Sequence, residues 1–184
     1  MLSTRPFKKL SNINDTTTDW YASDFVTECL CWHNVYRQRH RSPPLTLCPE
    51  LCNSAQEWAN TLAHMNLFFY RPNAKHVGQN IYCKLNVKEA SDVTGQEVAG
   101  YWYRACRYYN FLGEPKVLNA NVNAGHFTQL VWASTSDVGI GIARTRGGKV
   151  MVVANYRPPG NTTGEFQKNV FLPVLDKMGN PCLD

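Results

Sequence analysis

A chain of 184 residues with 43% hydrophobic and 12% aromatic residues is long and apolar enough for one packed domain, which excludes wholesale disorder. A net charge of +5 is a mild bias, well short of the basic face that DNA or RNA requires, so no nucleic-acid partner is expected. No apolar run approaches the roughly 18 residues of a membrane-spanning helix.

Residues 1–21 are polar, rich in Ser, Thr, Asn and Asp, and read as a flexible arm. Arg5, Lys8 and Lys9 are not followed by the apolar stretch of a secretory signal, and Leu2 stands where myristoylation needs glycine. A cytoplasmic chain, peripheral at intracellular membranes, is therefore expected. On that expectation the sequons at Asn14 and Asn161 carry no glycan, and seven cysteines, an odd number, fit a reducing compartment.

From Asp24 the pattern changes. Phe25, Cys29, Trp32 or His33, and Tyr36 recur at helical spacing and predict a first helix ending near His40, stopped by Ser42-Pro43-Pro44. Arg37, Arg39, His40 and Arg41 crowd its end, as a solvated cap on the helix dipole or as a contact for acidic lipid headgroups. A second helix starts at Pro49 with the stripe Leu51, Ala55, Trp58, Leu62 and Met65. Cys48 and Cys52 are either ordinary buried residues or half of a four-thiolate zinc site.

Arg71-Pro72-Asn73 breaks the chain, and Val77 to Cys83 reads as a strand whose Gly78-Gln79-Asn80 opening makes a tight passage. Thr94 and Glu97 form a capping box for a third helix through Val98, Trp102, Ala105 or Cys106, and Tyr109. The aromatic stretch Tyr101 to Phe111 is a core stripe, or else a lipid or peptide groove. After a loop over Gly113 to Ala124 comes Gly125-His126-Phe127-Thr128-Gln129-Leu130-Val131-Trp132. Its strand-forming Leu130, Val131 and Trp132 are expected to pin His126 at the lip of a cleft.

Val138 to Ala143 alternates as a strand does, with Gly139 and Gly141 leaving one face bare for close packing. Arg146-Gly147-Gly148-Lys149 is a hairpin turn, and Lys149 to Tyr156 returns antiparallel. Pro158-Pro159-Gly160-Asn161 ends the pattern, and residues 173–184 form a loosely held tail. Helices first and strands afterwards give an α+β domain over residues 22–172.

Four motifs, in order and spacing, resemble the CAP superfamily of venom-allergen-like (SCP), cysteine-rich secretory and plant pathogenesis-related proteins. They are His33-Asn34-x-Tyr36-Arg37, Pro43-Pro44-Leu45, Gly125 through Thr135, and Asn155-Tyr156-Arg157-Pro158-Pro159-Gly160-Asn161. Within it the chain is most similar to the Golgi-associated plant-pathogenesis-related branch, in Tyr36-Arg37-Gln38, Leu47-Cys48 and Tyr109-Asn110-Phe111. Ala154 replaces a disulfide cysteine of secreted members.

The resemblance implies a three-layer α-β-α sandwich with a small, mainly antiparallel sheet. It also implies a cleft of two histidines and two glutamates able to hold a divalent metal such as zinc. Residue by residue, Tyr70 takes the place of the first histidine, Gln79 and Ala105 those of the glutamates, and only His126 is kept, with His76 nearby in sequence. A degenerate set of this kind lacks carboxylate ligands and a general base, so no metal, no cofactor and no catalytic residue are expected.

Hydrolysis is the alternative, metal-dependent or cysteine-dependent. Ser134 and Ser136 lack a nucleophile elbow, and Cys83 or Cys106 beside His126 would need a stabilised thiolate. The roles implied by the family are binding of membrane lipid (anionic lipid, fatty acid or sterol) or of a protein partner, and homodimerisation. The candidate surface is Arg37, Arg39, Arg41, Tyr109 and Phe111. The loop Leu112 to Ala124 lacks the aromatic residue that accompanies sterol binding in the family.

Overall fold

The computed structural model describes residues 23–72, 76–88, 93–113 and 124–174. The expected arm with Asn14, most of the loop before Ala124 and all but the first residues of the tail lie outside them. The elements in order are α1 (Asp24–Arg39), β1 (Thr46–Leu47), α2 (Pro49–Met65), β2 (Gly78–Lys84), α3 (Gly95–Tyr103), a 3-10 segment (Arg104–Tyr108), α4 (Gly125–Val131), β3 (Asp137–Arg144), β4 (Val150–Arg157) and α5 (Phe166–Asn169).

Helix α1 begins where the Ser23 side chain accepts from the Val26 amide, and it buries Val26, Cys29, His33, Tyr36 and Arg37. Helix α2 carries its proline in the first turn and closes on Asn66 in the left-handed conformation, whose amide returns to the Leu62 carbonyl. Helix α3 opens on the Thr94 cap, but the capping box is half made. Glu97 does not reach back, because its carboxylate accepts from the Tyr82 hydroxyl at 2.7 Å and from Lys84 at 2.9 Å. The single helix expected through Tyr109 tightens into 3-10 at Arg104.

Gly125–Val131 is a helix, α4, although Leu130 and Val131 were read as strand-forming residues. Phe127, Leu130 and Val131 sit at helical spacing and are wholly buried, and this packing overrides the strand preference of Leu130 and Val131. The Thr128 amide, bonded back to the Ala124 carbonyl at 3.0 Å, closes the first turn.

The sheet order is β1-β3-β4-β2, with β1 parallel to β3 and the other pairs antiparallel. One face carries α2, through Ala55, Ala59, Leu62 and Ala63 against Ile81, Ala143, Met151 and Val153. The other face carries α1, α3 and α4 in a larger core that holds Trp102, Phe127, Leu130, Ile140, Val152 and Tyr156. This is the three-layer sandwich. A Cβ added at Gly139 would lie 2.1 Å from the Leu51 backbone, and one at Gly141 would lie 2.3 Å from the Gln56 amide nitrogen, so both glycines set how close α2 approaches.

Candidate functional cleft

A buried polar chain fixes His126 by its backbone. His33 places Nδ1 2.6 Å from the Cys29 carbonyl and Nε2 2.9 Å from the Tyr156 hydroxyl. Asn80 donates through Nδ2 both to the Tyr156 oxygen at 3.2 Å and to the carbonyl of His126 at 2.9 Å. Burial pushes the His33 imidazole down to about 4, so it is neutral at physiological pH. With Nδ1–H donating to the carbonyl, Nε2 is left to accept from Tyr156.

A second clamp holds the start of α4. The Asn161 amide donates to the Gly125 carbonyl at 3.0 Å, and its oxygen accepts from the Thr128 hydroxyl. The sequon nitrogen is therefore engaged inside the fold. Gln129 holds the Gly160 amide at 2.9 Å, and the same Gln129 oxygen would lie 2.0 Å from a Cβ at Gly78.

The His126 side chain is half-buried, and burial lowers its pKa, which favours the neutral imidazole. Its Nε2 lies 3.1 Å from the Tyr70 hydroxyl, and the ring of Tyr101 stands 6.3 Å from it. Gln79 accepts from the Arg71 amide at 2.9 Å and donates to Asn155 at 2.8 Å. The backbone amide next to Tyr70 thus meets the Gln79 side chain, and Tyr70 meets His126. Ala105 is buried in the core, and Tyr101, one turn earlier, is the residue whose ring faces the imidazole. His76 is exposed.

The residues do not fit a metal ion. A phenol, a carboxamide already bonded on both sides and a methyl group offer His126 no carboxylate or second imidazole. Among the described residues, no three His, Cys, Asp or Glu side chains converge on a point where an ion could be held, and this covers Cys48 and Cys52. Burial raises the thiols of Cys83 and Cys106, the opposite of what a nucleophile needs. Ser136 bonds to Asp137 and to the Arg157 carbonyl, away from any imidazole.

The expected basic and aromatic surface is not a surface. Arg37 is fully buried, and its guanidinium donates to four carbonyls, those of Pro43, Leu130, Trp132 and Thr135, at 2.7–2.9 Å. It complements the C-terminal end of α4 and ties that end to α1. Tyr109 is buried against Phe111, Phe127 and Phe166. Arg39 is half-buried, its guanidinium over the rings of Tyr36 at 5.3 Å and Tyr103 at 5.7 Å. Phe111 packs on His40 and Phe127 and is partly buried, which leaves Arg41 as the exposed member of the five.

The functional residues that sequence reasoning missed are His33, Asn80, Tyr101 and Tyr156. Three of them sit inside the quoted motifs or the Gly78-Gln79-Asn80 turn, so the signal was a run of polar and aromatic residues within otherwise buried segments. Tyr101 gave no signal beyond its place in an aromatic stretch.

The three layers and the histidine-bearing cleft between sheet and helices define an α-β-α sandwich of one recognisable class. The profile of the CAP group, described as the cysteine-rich secretory protein family, matches residues 32–156, and the chain belongs to that family. It is 39% identical over 155 residues to Golgi-associated plant pathogenesis-related protein 1 of Homo sapiens, covering 83% of this chain and 96% of that one. It is 29% identical to a probable pathogenesis-related protein of Candida albicans, covering 89% of this chain but 46% of that one. Among solved structures, NaASP2 with Zn2+ superposes with a TM-score of 0.64 at 19% identity, covering 85% of this chain and 87% of that one. BmVAL-1 superposes with a TM-score of 0.59 at 22% identity, covering 86% and 82%. These last two likenesses speak for the fold.

Proposed function

We propose that this CAP domain is non-enzymatic, its cleft having lost the metal chemistry the fold can carry, and that it is a recognition module that binds membrane lipid. The observation that carries the first half is the pairing of His126 with the Tyr70 phenol, where a metal ligand would have to stand. Among the described residues His126 has no carboxylate to orient it or to share a proton, and no serine or cysteine is bonded to it, so they offer neither a triad nor a metal-bound water. Membrane binding draws on the human relative, whose name places it at the Golgi, and on the net charge of +5. No helix among the described residues is long and apolar enough to cross a membrane, so attachment of this domain would be peripheral.

The test is native mass spectrometry of the protein purified from its own source, with vesicle flotation alongside. The reading expects no zinc and co-flotation with vesicles of acidic phospholipid at low salt. Stoichiometric zinc that disappears in His126→Ala overturns the first half. Failure to float with any acidic vesicle overturns the second and leaves a protein partner as the target.

A further inference from the structure

At the end of the sheet where β3 turns into β4, a groove of about 320 Å³ opens between that turn and the last turn of α2. His64 and Asn66 line it from the helix, and Thr145, Arg146 and Lys149 from the hairpin. Among the described residues no carboxylate lines it, and neither Arg146 nor Lys149 is in an ion pair. Two full positive charges, an imidazole and an amide facing one concavity are the donor set of an anion site.

The C-terminus of α2 points at the same place and contributes about half a negative charge. That opposition is weak. The Leu62 carbonyl is already taken by the amides of Asn66 and Leu67, and two whole cations outweigh a partial charge.

More positive charge surrounds the groove. Lys88 is exposed, and the Arg144 guanidinium is held at this end by the carbonyls of Val87 and Lys88 at 2.6 and 2.7 Å. Met65 and Leu67, which flank the groove residue Asn66, are each 49% exposed, and Leu85 at the end of β2 is 59% exposed. Register puts Leu85 here, since Lys84 pairs with Val150 and the Val87 amide reaches the Gly148 carbonyl. These apolar side chains are exposed beside a hollow that is lined by Ala63 and otherwise mostly by polar and charged residues. A groove that holds a peptide has its apolar residues lining it, whereas a face that enters the headgroup layer has them standing at the rim.

We infer that this end of the sheet is the membrane-docking face. The groove takes the phosphoryl headgroup of an anionic lipid, and Met65, Leu67 and Leu85 enter the boundary between headgroups and acyl chains. The inference rests on the lipid-binding reading above and gives it a place, at the opposite end of β2 from the Asn80–His126 contact.

Flotation of the full chain with phosphatidylcholine vesicles containing phosphatidylserine or a phosphatidylinositol phosphate tests it. R146E/K149E is compared with R41E/R107E, which reverses two exposed charges elsewhere to the same net charge. With each cation near an acidic surface worth roughly a fivefold factor, R146E/K149E is expected to weaken vesicle binding at least tenfold, with R41E/R107E much closer to wild type. M65S/L67S is expected to weaken vesicle binding several-fold and leave binding of soluble glycerophosphoinositol phosphate unchanged. Arg41, Met65, Leu67, Arg107 and Arg146 are exposed and Lys149 is half-buried, and an unchanged melting temperature checks each variant's fold.

Equal loss in the two charge-reversal pairs overturns the site while leaving lipid binding in place. Full vesicle binding by M65S/L67S, with inorganic phosphate competing vesicles away, overturns the membrane as source and leaves a soluble phosphate. If wild type floats with no acidic vesicle but binds polyglutamate through Arg146 and Lys149, the face belongs to an acidic protein and the inference fails together with the lipid reading.

Discussion

The Tyr70 hydroxyl sits 3.1 Å from Nε2 of His126, and the two residues come from segments 56 positions apart. A phenol stands against the nitrogen that a metal ion would need. Tyr70 is also tied by its chain neighbour to Gln79, whose carboxamide is committed to the Arg71 amide and to Asn155. The cleft is thus a closed hydrogen-bonded surface.

The first prediction follows from that closure. Tyr70→His with Gln79→Glu gives the cleft two imidazoles and a carboxylate, enough protein ligands for zinc with water in the fourth position. The double variant is expected to bind one zinc ion by calorimetry, wild type none, and addition of His126→Ala to abolish it. Tight zinc binding by wild type sinks the account of the cleft.

Arg37 provides the second. Arg37→Ala abandons four carbonyls in the core and is expected to cost about 3–5 kcal/mol in urea unfolding, or to prevent folding. Arg37→Lys keeps the charge but loses the planar fork, and a cost of about 2 kcal/mol is expected. A loss below about 0.5 kcal/mol for either would put Arg37 back among surface cations.

These residues also mark how far the sequence could be read. Helix α1, helix α2 and the β3–β4 hairpin were legible because each is decided locally, by a cap, a proline or an alternating pattern. Gly139 and Gly141 announced the close approach of α2 because a bare strand face has few other uses. The secondary structure of Gly125 to Val131 and the burial of Arg37 were not legible, and for one reason. Three of the four carbonyls that satisfy Arg37, those of Leu130, Trp132 and Thr135, lie at the end of that segment or just after it, 93 to 98 residues away. A charge next to other charges on a helix end looks solvated until its long-range partners are known.

The glycines of β3 make the third prediction. A Cβ at Gly139 or Gly141 meets backbone atoms of α2, which cannot rotate away as a side-chain tip could. Gly139→Ala and Gly141→Ala are each expected to cost about 3 kcal/mol, read as a lower urea midpoint at unchanged slope. Gly147→Ala, where the nearest atom is the Thr145 hydroxyl at 3.9 Å, is the control and should change little.

Stability against pH is the fourth, and His33 sets its sign. Its pKa falls from 6.5 to about 4 on folding because burial penalises the charged ring. Above pH 6.5 both states hold the ring neutral, and stability is at its full value. Below that the unfolded chain takes a proton that the folded chain refuses, so stability falls as pH drops toward about 4, by about 3 kcal/mol at most from this residue. His40 and His126, also lowered by burial, add to the same slope. His33→Gln should be less stable than wild type at neutral pH, since it disturbs the links to Cys29 and Tyr156, yet lose less on acidification. Urea unfolding at pH 7 and pH 5 of both proteins measures the two slopes. Parallel slopes mean that His33 accepts its proton without unfolding and that the buried chain leading to His126 is looser than its distances indicate.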